Sequence, residues 1–241
     1  MSQKSAISLD IQDNSFTLAN NFIAGNRLGG IQAQLARSDG TSFPRSFIYG
    51  NTFFGNANGT ILVQKRTGIK FNFSSVYIMD NIFESNVGYG STIKLSEVQS
   101  EIVNNFFYNN SGLRTIEYNF SSTWPKGQKS ELNTFYLNKG LGQNDGVTID
   151  SNGPMEYRSN NLKNPSNLYE FSSTRQAVSP YWFSSTRQSH PIDARLNWWG
   201  VEKDSSVSSR IYDKKDDWRL AAVEYIPFHK LPLRNILSSK Y

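Results

Sequence analysis

Ile78-Met79-Asp80-Asn81-Ile82-Phe83-Glu84-Ser85-Asn86 is the stretch that decides how this chain folds. An apolar residue is followed by Asn at the third position, by an apolar residue two positions later, and by a further Asn after three more. The same frame returns as Ile48-x-x-Asn51-x-Phe53-x-x-Asn56 and Ile102-x-x-Asn105-x-Phe107-x-x-Asn110, with a first copy at Leu18-x-x-Asn21-x-Ile23-x-x-Asn26. Weaker copies read Asn133-x-Phe135-x-x-Asn138, Tyr157-x-x-Asn160-x-Leu162 and Ala194-x-x-Asn197-x-Trp199. The leading residues Asn21, Asn51, Asn81, Asn105, Asn133, Asn160 and Asn197 are separated by steps of 30, 30, 24, 28, 27 and 37 residues.

A separation of three between Ile and Asn fits neither the period of a strand nor that of a helix. It makes sense if the Asn is a bend, because Asn is the non-glycine residue that most readily enters the left-handed region. Such a residue resets the phase, so that the Phe two positions on points back inside. Around the frame the spacing is that of strands. Ile7-x-Leu9-x-Ile11 precedes the first copy, and Ile31-x-Ala33-x-Leu35, Ile61-x-Val63, Ile93-x-Leu95, Ile116-x-Tyr118 and Val147-x-Ile149 come after later ones. Each repeat thus supplies about three short strands that can bury their apolar side only against neighbouring repeats. The expected fold is all-β, a right-handed parallel β-helix of about seven coils with like residues stacked about 4.8 Å apart. The Asn column then forms a hydrogen-bonded ladder and the Phe column an interior stack.

Residues 1–200 read as the coils and 201–241 as a C-terminal cap of the same domain. Excess length leaves as loops at Arg37–Pro44, Asn119–Lys129 and Gly140–Gly146, and as a long insert over 163–191. That insert carries Phe171-Ser172-Ser173-Thr174-Arg175-Gln176, repeated as Phe183-Ser184-Ser185-Thr186-Arg187-Gln188. A tandem binding epitope is one reading; a local duplication in a tolerant loop is the simpler one. The coils start close to the beginning of the sequence with no capping element before them. A bare strand stack is an aggregation hazard, so the sequence reads as a piece of a longer polypeptide.

Composition narrows the function classes. The net charge of +5 is spread thinly, and Lys214-Lys215-Asp216-Asp217 cancels itself, so no basic stripe for nucleic acid exists. No run of apolar residues is long enough to span a membrane, and the opening residues lack the apolar core of a signal peptide. The absence of cysteine excludes disulfides and thiolate chemistry. No phosphate-cradling loop or nucleophile elbow is present, and His190 and His229 lie far apart in sequence, so no cofactor is expected. Acidic residues do not recur at a fixed offset in the repeat. The densest group, Asp213, Asp216 and Asp217, is a weak candidate for Ca²⁺, with a solvated turn as the preferred reading. No catalytic residue is assigned. Sequons stand at Asn58, Asn72, Asn109 and Asn119, about as many as chance supplies in a chain this rich in Asn, Ser and Thr. Asn58, Asn72 and Asn119 are the glycosylation candidates, since Asn109 adjoins the repeat position Asn110. Trp198 and Trp199 face opposite ways as strand neighbours, so Trp199 continues the interior column and Trp198 packs under the cap.

Ile192-Asp193-Ala194-Arg195-Leu196-Asn197-Trp198-Trp199-Gly200 resembles the Asn-Trp-Trp-Gly signature that closes the last coil of many β-helix proteins of the pectin-lyase-like superfamily. Arg210-Ile211-Tyr212-Asp213, Asp216-Asp217 and Val223-Glu224-Tyr225-Ile226-Pro227-Phe228 are similar to the segment after that signature in the bark beetle (anakonda) family of animal cell-junction proteins. That resemblance implies a non-enzymatic segment of an extracellular region at a cell junction, acting in adhesion or partner display. Its partners would be other cell-surface or junction proteins, with carbohydrate as a further ligand class. This chain carries none of that family's signal peptide, transmembrane helix or cysteine-rich modules. The alternative class is a carbohydrate-active β-helix enzyme, a lyase or glycosidase, or a polysaccharide-binding relative.

Overall fold

The computed structural model describes residues 5–36, 45–65, 75–119, 128–141, 146–152, 155–173, 192–218 and 220–233. Strands β1 (Ile7–Gln12), β2 (Thr17–Ala19) and β3 (Phe22–Ala24) form the first coil, and β4 (Ile31–Ala36), β5 (Arg45–Tyr49) and β6 (Thr52–Phe54) the second. The pattern repeats through β7 (Ile61–Lys65), β8 (Ser75–Met79), β9 (Ile82–Glu84), β10 (Ser91–Ser96), β11 (Gln99–Val103) and β12 (Phe106–Tyr108). It continues through β13 (Arg114–Asn119), β14 (Gln128–Glu131), β15 (Thr134–Tyr136), β16 (Val147–Ser151), β17 (Met155–Arg158) and β18 (Asn161–Lys163). Two reduced turns come last, carrying β19 (Tyr169–Ser173), β20 (Ile192–Asp193), the short helix α1 (Asp204–Ser208), β21 (Ile211–Tyr212) and β22 (Val223–Glu224).

Every third strand stacks on the same wall. The first wall runs β1-β4-β7-β10-β13-β16-β19-β21, the second β2-β5-β8-β11-β14-β17-β20-β22, and the third β3-β6-β9-β12-β15-β18. Strand pairing along each wall is parallel, and the molecule is a three-walled β-solenoid. Six coils have all three walls. In the last two turns the third wall shrinks to single bridges, Asn161 to Trp198 and Trp198 to His229. The described residues after Gly200 continue the coiling through β21 and β22, with α1 laying its buried Val207 against the core.

Register places the repeat frame. Ile7, Ile31, Ile61, Ile93, Ile116, Ile149, Phe171 and Ile211 face each other in turn along the first wall. Ile23, Phe53, Phe83, Phe107, Phe135 and Leu162 do so along the third. The rings of Phe53, Phe83, Phe107 and Phe135 lie 4.9, 4.6 and 4.7 Å apart with interplanar angles of 4 to 7°. The coil repeat enforces that parallel stack, since identical rotamers on strands about 4.8 Å apart leave no other offset.

The Asn side chains run inside two corners. At the corner between the second and third walls, Asn21, Asn51, Asn81, Asn105, Asn133, Asn160 and Asn197 form a continuous chain. Each donates both its backbone N–H and its Nδ2 to the Oδ1 of the next, at 2.8–3.0 Å. Asn51 to Asn197 are at most 1% exposed. Asn81 also donates to the Ile48 and Met79 carbonyls at 2.9 Å, so its amide is saturated. A second chain at the next corner links Asn26, Asn56, Asn86, Asn110, Asn138 and Asn164 in the same way.

The left-handed residue is not the ladder Asn but the one before it. Positive φ occurs at Asn20, Gly50, Asp80, Asn104, Leu132, Ser159 and Leu196 at the first corner, and at Gly25, Gly55, Ser85, Asn109 and Leu137 at the second. The preceding residue turns the chain outward and keeps its own N–H on the neighbouring coil, as in Asp80 N–H to the Val103 carbonyl at 3.2 Å. The Asn is thereby left free to aim its amide inward. Further along the second of these corners Gly29 (φ 98) lies against Gly59, where an added Cβ would sit 2.6 Å from the Gly59 carbonyl. A side chain there would separate the coils.

Asn81→Ala is expected to destabilise the fold by about 3 kcal/mol, since it strands the buried Asn51 and Asn105 amides as well as removing its own bonds. Asn21→Ala, at the exposed end of the same chain, is expected to cost less than about 1 kcal/mol. Urea unfolding of both variants measures the difference, and equal losses would count against the ladder. Leu132 sits at φ 57 with 47% of its surface exposed. Leu132→Asn is expected to stabilise by about 0.5–1 kcal/mol in the same assay, because Asn tolerates that conformation and Leu does not.

Candidate interaction face

The connections that vary most in length share one corner. Residues 37–44, 66–74, 120–127 and 174–191 each join a strand of the first wall to a strand of the second. Those residues lie outside the described ones, as do His190, Asn72 and the second copy of the duplicated hexapeptide. The first copy begins inside β19, with Phe171 in the core and Ser172 and Ser173 paired to β16. The 163–191 region therefore starts with wall and not with loop. The link from β10 to β11 is only Glu97 and Val98, and Val98 is buried.

That corner borders the outer face of the second wall. Register stacks Thr17, Phe47, Tyr77, Glu101, Lys129, Glu156, Asp193 and Glu224 outward, beside Ala19, Tyr49, Met79, Val103, Glu131 and Arg158. The face has two halves. In the early coils it is aromatic and apolar. Phe47 and Tyr77 stack at 5.3 Å, Arg45 lies 5.6 Å above the Tyr77 ring, and Tyr49 is 38% exposed. Burial, then the neighbouring Glu101 carboxylate, raises the Tyr77 hydroxyl pKa, which keeps it a neutral hydrogen-bonding group. Phe47 and Tyr77 cover one face of each other, so they do not form an open platform for a flat sugar.

In the later coils the same face is charged. Lys129 pairs with Glu131 at 3.0 Å. Asp193 accepts from Arg195 through Nε at 3.0 Å and Nη2 at 2.8 Å, and from Arg158 on the adjoining coil. The Arg195 hydrogen bonds, followed by those of Arg158, hold the Asp193 carboxyl well below the usual carboxylate range against the opposing effect of burial. The first wall carries a comparable cluster. Lys94 pairs with Glu117 at 2.8 Å, and Arg114 bridges Glu117 and Asp150. Burial raises the Glu117 pKa, but hydrogen bonds from Lys94 and Ser91 outweigh it and the net shift is downward.

Of the three carboxylates weighed for Ca²⁺, two take part in hydrogen bonds within the closing turns. Asp213 is buried, 6% exposed, and its two oxygens accept the Lys215 and Val223 N–H groups at 3.0 Å each. Asp216 accepts the Asp213 N–H at 3.1 Å. Asp213 ties the turn after β21 to β22, so it is a fastening of the last coil and not the solvated turn expected from the sequence. Among the described residues no group of three His, Cys, Asp or Glu side chains is arranged to hold a metal.

A buried carboxylate missed by sequence reasoning is Glu170, fully enclosed in β19. It ends the second Asn chain by accepting the Asn164 N–H at 3.0 Å and the Asn164 Nδ2 at 2.9 Å, with Thr148 and Arg210 as further donors. Its column holds Thr60, Thr92, Thr115 and Thr148 in earlier coils, all buried. The Thr directly before Ile61, Ile93, Ile116 and Ile149 was the available signal, and the 37-residue step from Asn160 to Asn197 hid the next member. Tyr118 and Tyr157 were likewise read as ordinary strand residues. Both are enclosed, and burial raises both hydroxyl pKa values.

Of the sequons, Asn58 is exposed with its Nδ2 donated to the Arg27 carbonyl at 2.9 Å, and Asn119 is exposed with its Oδ1 accepting from Asn152 at 3.0 Å. Trp199 is fully buried against Tyr157, and Trp198 is half-buried between Asn161 and His229. Gly200 (φ 72) closes that turn against the Leu162 carbonyl. Among the described residues no helix is long and apolar enough to cross a membrane.

Because Asp193 is held ionised in the folded state, its stabilisation is present above the unfolded carboxylate pKa near 4 and is lost as the pH falls below it. Asp193→Asn is expected to lower stability at pH 7 and to flatten the decline in melting temperature between about pH 4 and pH 2. Melting curves across that range check the sign; an unchanged acid slope would refute the assignment.

No family model and no solved structure matches the chain. The chain is 32% identical over 237 residues to protein bark beetle of Drosophila melanogaster, an alignment that covers 93% of this chain and 7% of that protein's length. The chain is thus similar to one segment of a much longer protein, and the similarity runs through coils and closing turns alike.

Proposed function

We propose that this chain is a non-enzymatic β-solenoid segment of an extracellular cell-junction protein, and that it works by holding partner-binding side chains at fixed spacing on its second wall. The observation that carries this reading is the similarity to bark beetle along 93% of the chain. The bark beetle resemblance in residues 192–228 implies the junction setting, and the likeness extends that implication to the walls.

The wall supports the display part of the reading. Its outer face pairs an aromatic half around Phe47, Tyr49 and Tyr77 with a charged half around Lys129, Glu131, Arg158 and Asp193. Aromatic residues and Arg are the side chains that dominate protein contacts, and a rigid backing spares the entropy of ordering them on binding. The connections of unequal length border the same face, where variable segments on a stiff scaffold carry recognition. Partners would be other cell-surface proteins.

The test is a tetramerised, fluorescently labelled chain applied to living epithelial monolayers. Staining is expected at cell contacts, and the double variant Tyr49→Ala/Tyr77→Ala is expected to weaken it about thirtyfold, the effect of losing about 2 kcal/mol of contact. Trp218→Ala, in the exposed closing turn, is the control and is expected to bind normally. Uniform or absent staining, or equal loss in the control, contradicts the proposal. So does release of new chain ends from an acidic polysaccharide, with or without Ca²⁺.

A further inference from the structure

The two ends of the solenoid are chemically unlike. At one end β1, β2 and β3 are the outermost strands of all three walls. Their interior residues Ile7, Leu9, Ile11, Phe16 and Leu18 pack on the core but stay partly exposed, whereas Ile31, Ala33, Leu35 and Ile48 one coil further in are at most 2% exposed. The same end carries the first members of both Asn chains. Asn21 and Asn26 donate onward to Asn51 and Asn56, yet among the described residues no donor reaches their own Oδ1 atoms. Every later ladder oxygen takes two N–H groups from the coil before it.

Among the described residues the other end leaves no ladder oxygen open. Glu170, from the Thr148 column of the first wall, supplies the acceptor that ends the second chain and is saturated by Asn164, Thr148 and Arg210. In the first chain, register puts Phe228 where the next Asn would stand, because His229 is paired with Trp198. An apolar ring there neither donates nor accepts.

We infer that the β1–β3 end is a docking face for one further β-solenoid coil of the same direction, with Asn at both corner positions. Ladder polarity selects this occupant. The face offers amide oxygens, and they fit a pair of amide donors, the N–H and Nδ2 that each Asn already sends to the next coil. A second copy of this chain brought end to end would oppose oxygen to oxygen, and its other end offers no Asn. The half-buried columns of β1 and β2 continue the core laterally, so the added coil would bury apolar area as well as complete the hydrogen bonds. The inference does not depend on the junction role.

Register makes the test direct. Ile7 and Ile116 occupy one column, so Ser5 corresponds to Arg114. A copy of Ser91–Leu113, a coil without an insert that carries Asn105 and Asn110, is grafted in place of residues 1–4 so that its Leu113 joins Ser5. The graft is expected to raise the melting temperature by at least about 4 °C and to slow amide exchange in Ile7–Gln12 at least about tenfold. The same graft with both copied Asn residues changed to Ala is expected to lose more than half of the gain. A graft that leaves melting and exchange unchanged overturns the inference. The unmodified chain is expected to sediment as a monomer, and a dimer abolished by Leu9→Glu would overturn it in favour of a second copy.

Discussion

Buried amide-to-amide hydrogen bonding between successive coils is the constraint on which this structure rests. A parallel coil must turn three times in about two dozen residues, and each turn takes backbone groups out of a regular ladder. In a buried corner those groups need partners. Asn meets the need with one side chain. Its oxygen takes the backbone N–H and the Nδ2 of the coil before, and its own Nδ2 reaches two carbonyls and the next Asn, as at Asn81. Because each Asn serves its neighbours, the corners behave as continuous spines, and the interior Phe stack results from the register they impose.

This division of labour explains where variation is tolerated. The two Asn-lined corners, second to third wall and third to first, hold nearly constant spacing from β5 to β15. Among the described residues the corner between the first and second walls carries no such Asn chain, and connections of two to eighteen residues leave there. Length variation is thus collected along one edge of the second wall, beside Arg45, Phe47 and Tyr77. A scaffold fixed at two corners and free at the third sets recognition residues on a stiff backing, which is the physical basis for reading the molecule as a display surface.

The fold was legible in the sequence because a solenoid repeats its own register. Aligning on Asn21, Asn51, Asn81 and Asn105 is enough to assign three strands per coil. The same alignment places the bend one residue too late. The recurring Asn draws attention, but the residue before it carries the turn: Asn20, Gly50, Asp80 and Asn104 are types that accept a left-handed backbone, and Leu132, Ser159 and Leu196 adopt it without that advantage. The final coils were obscured because their strands shrink to two residues, because Phe228 stands where Asn is expected, and because Glu170, in the Thr148 column, takes over as acceptor for the second chain. Asp213 looked solvated among neighbouring charges. Only the approach of Val223, ten residues on, reveals its role. Surface chemistry was the least legible part, since which residues share a wall face depends on register across coils and not on local spacing.

Native-state hydrogen exchange at the ladder positions tests the central claim most directly. The backbone N–H groups of Asn51, Asn81, Asn105 and Asn133 have side-chain oxygens as acceptors. If the Asn chains are the spine, these four amides open only with the whole solenoid and are protected to within about tenfold of the central strand amides of Ile78 and Ile102. Exchange at those four positions that is orders of magnitude faster, while the strand amides stay protected, would contradict the account.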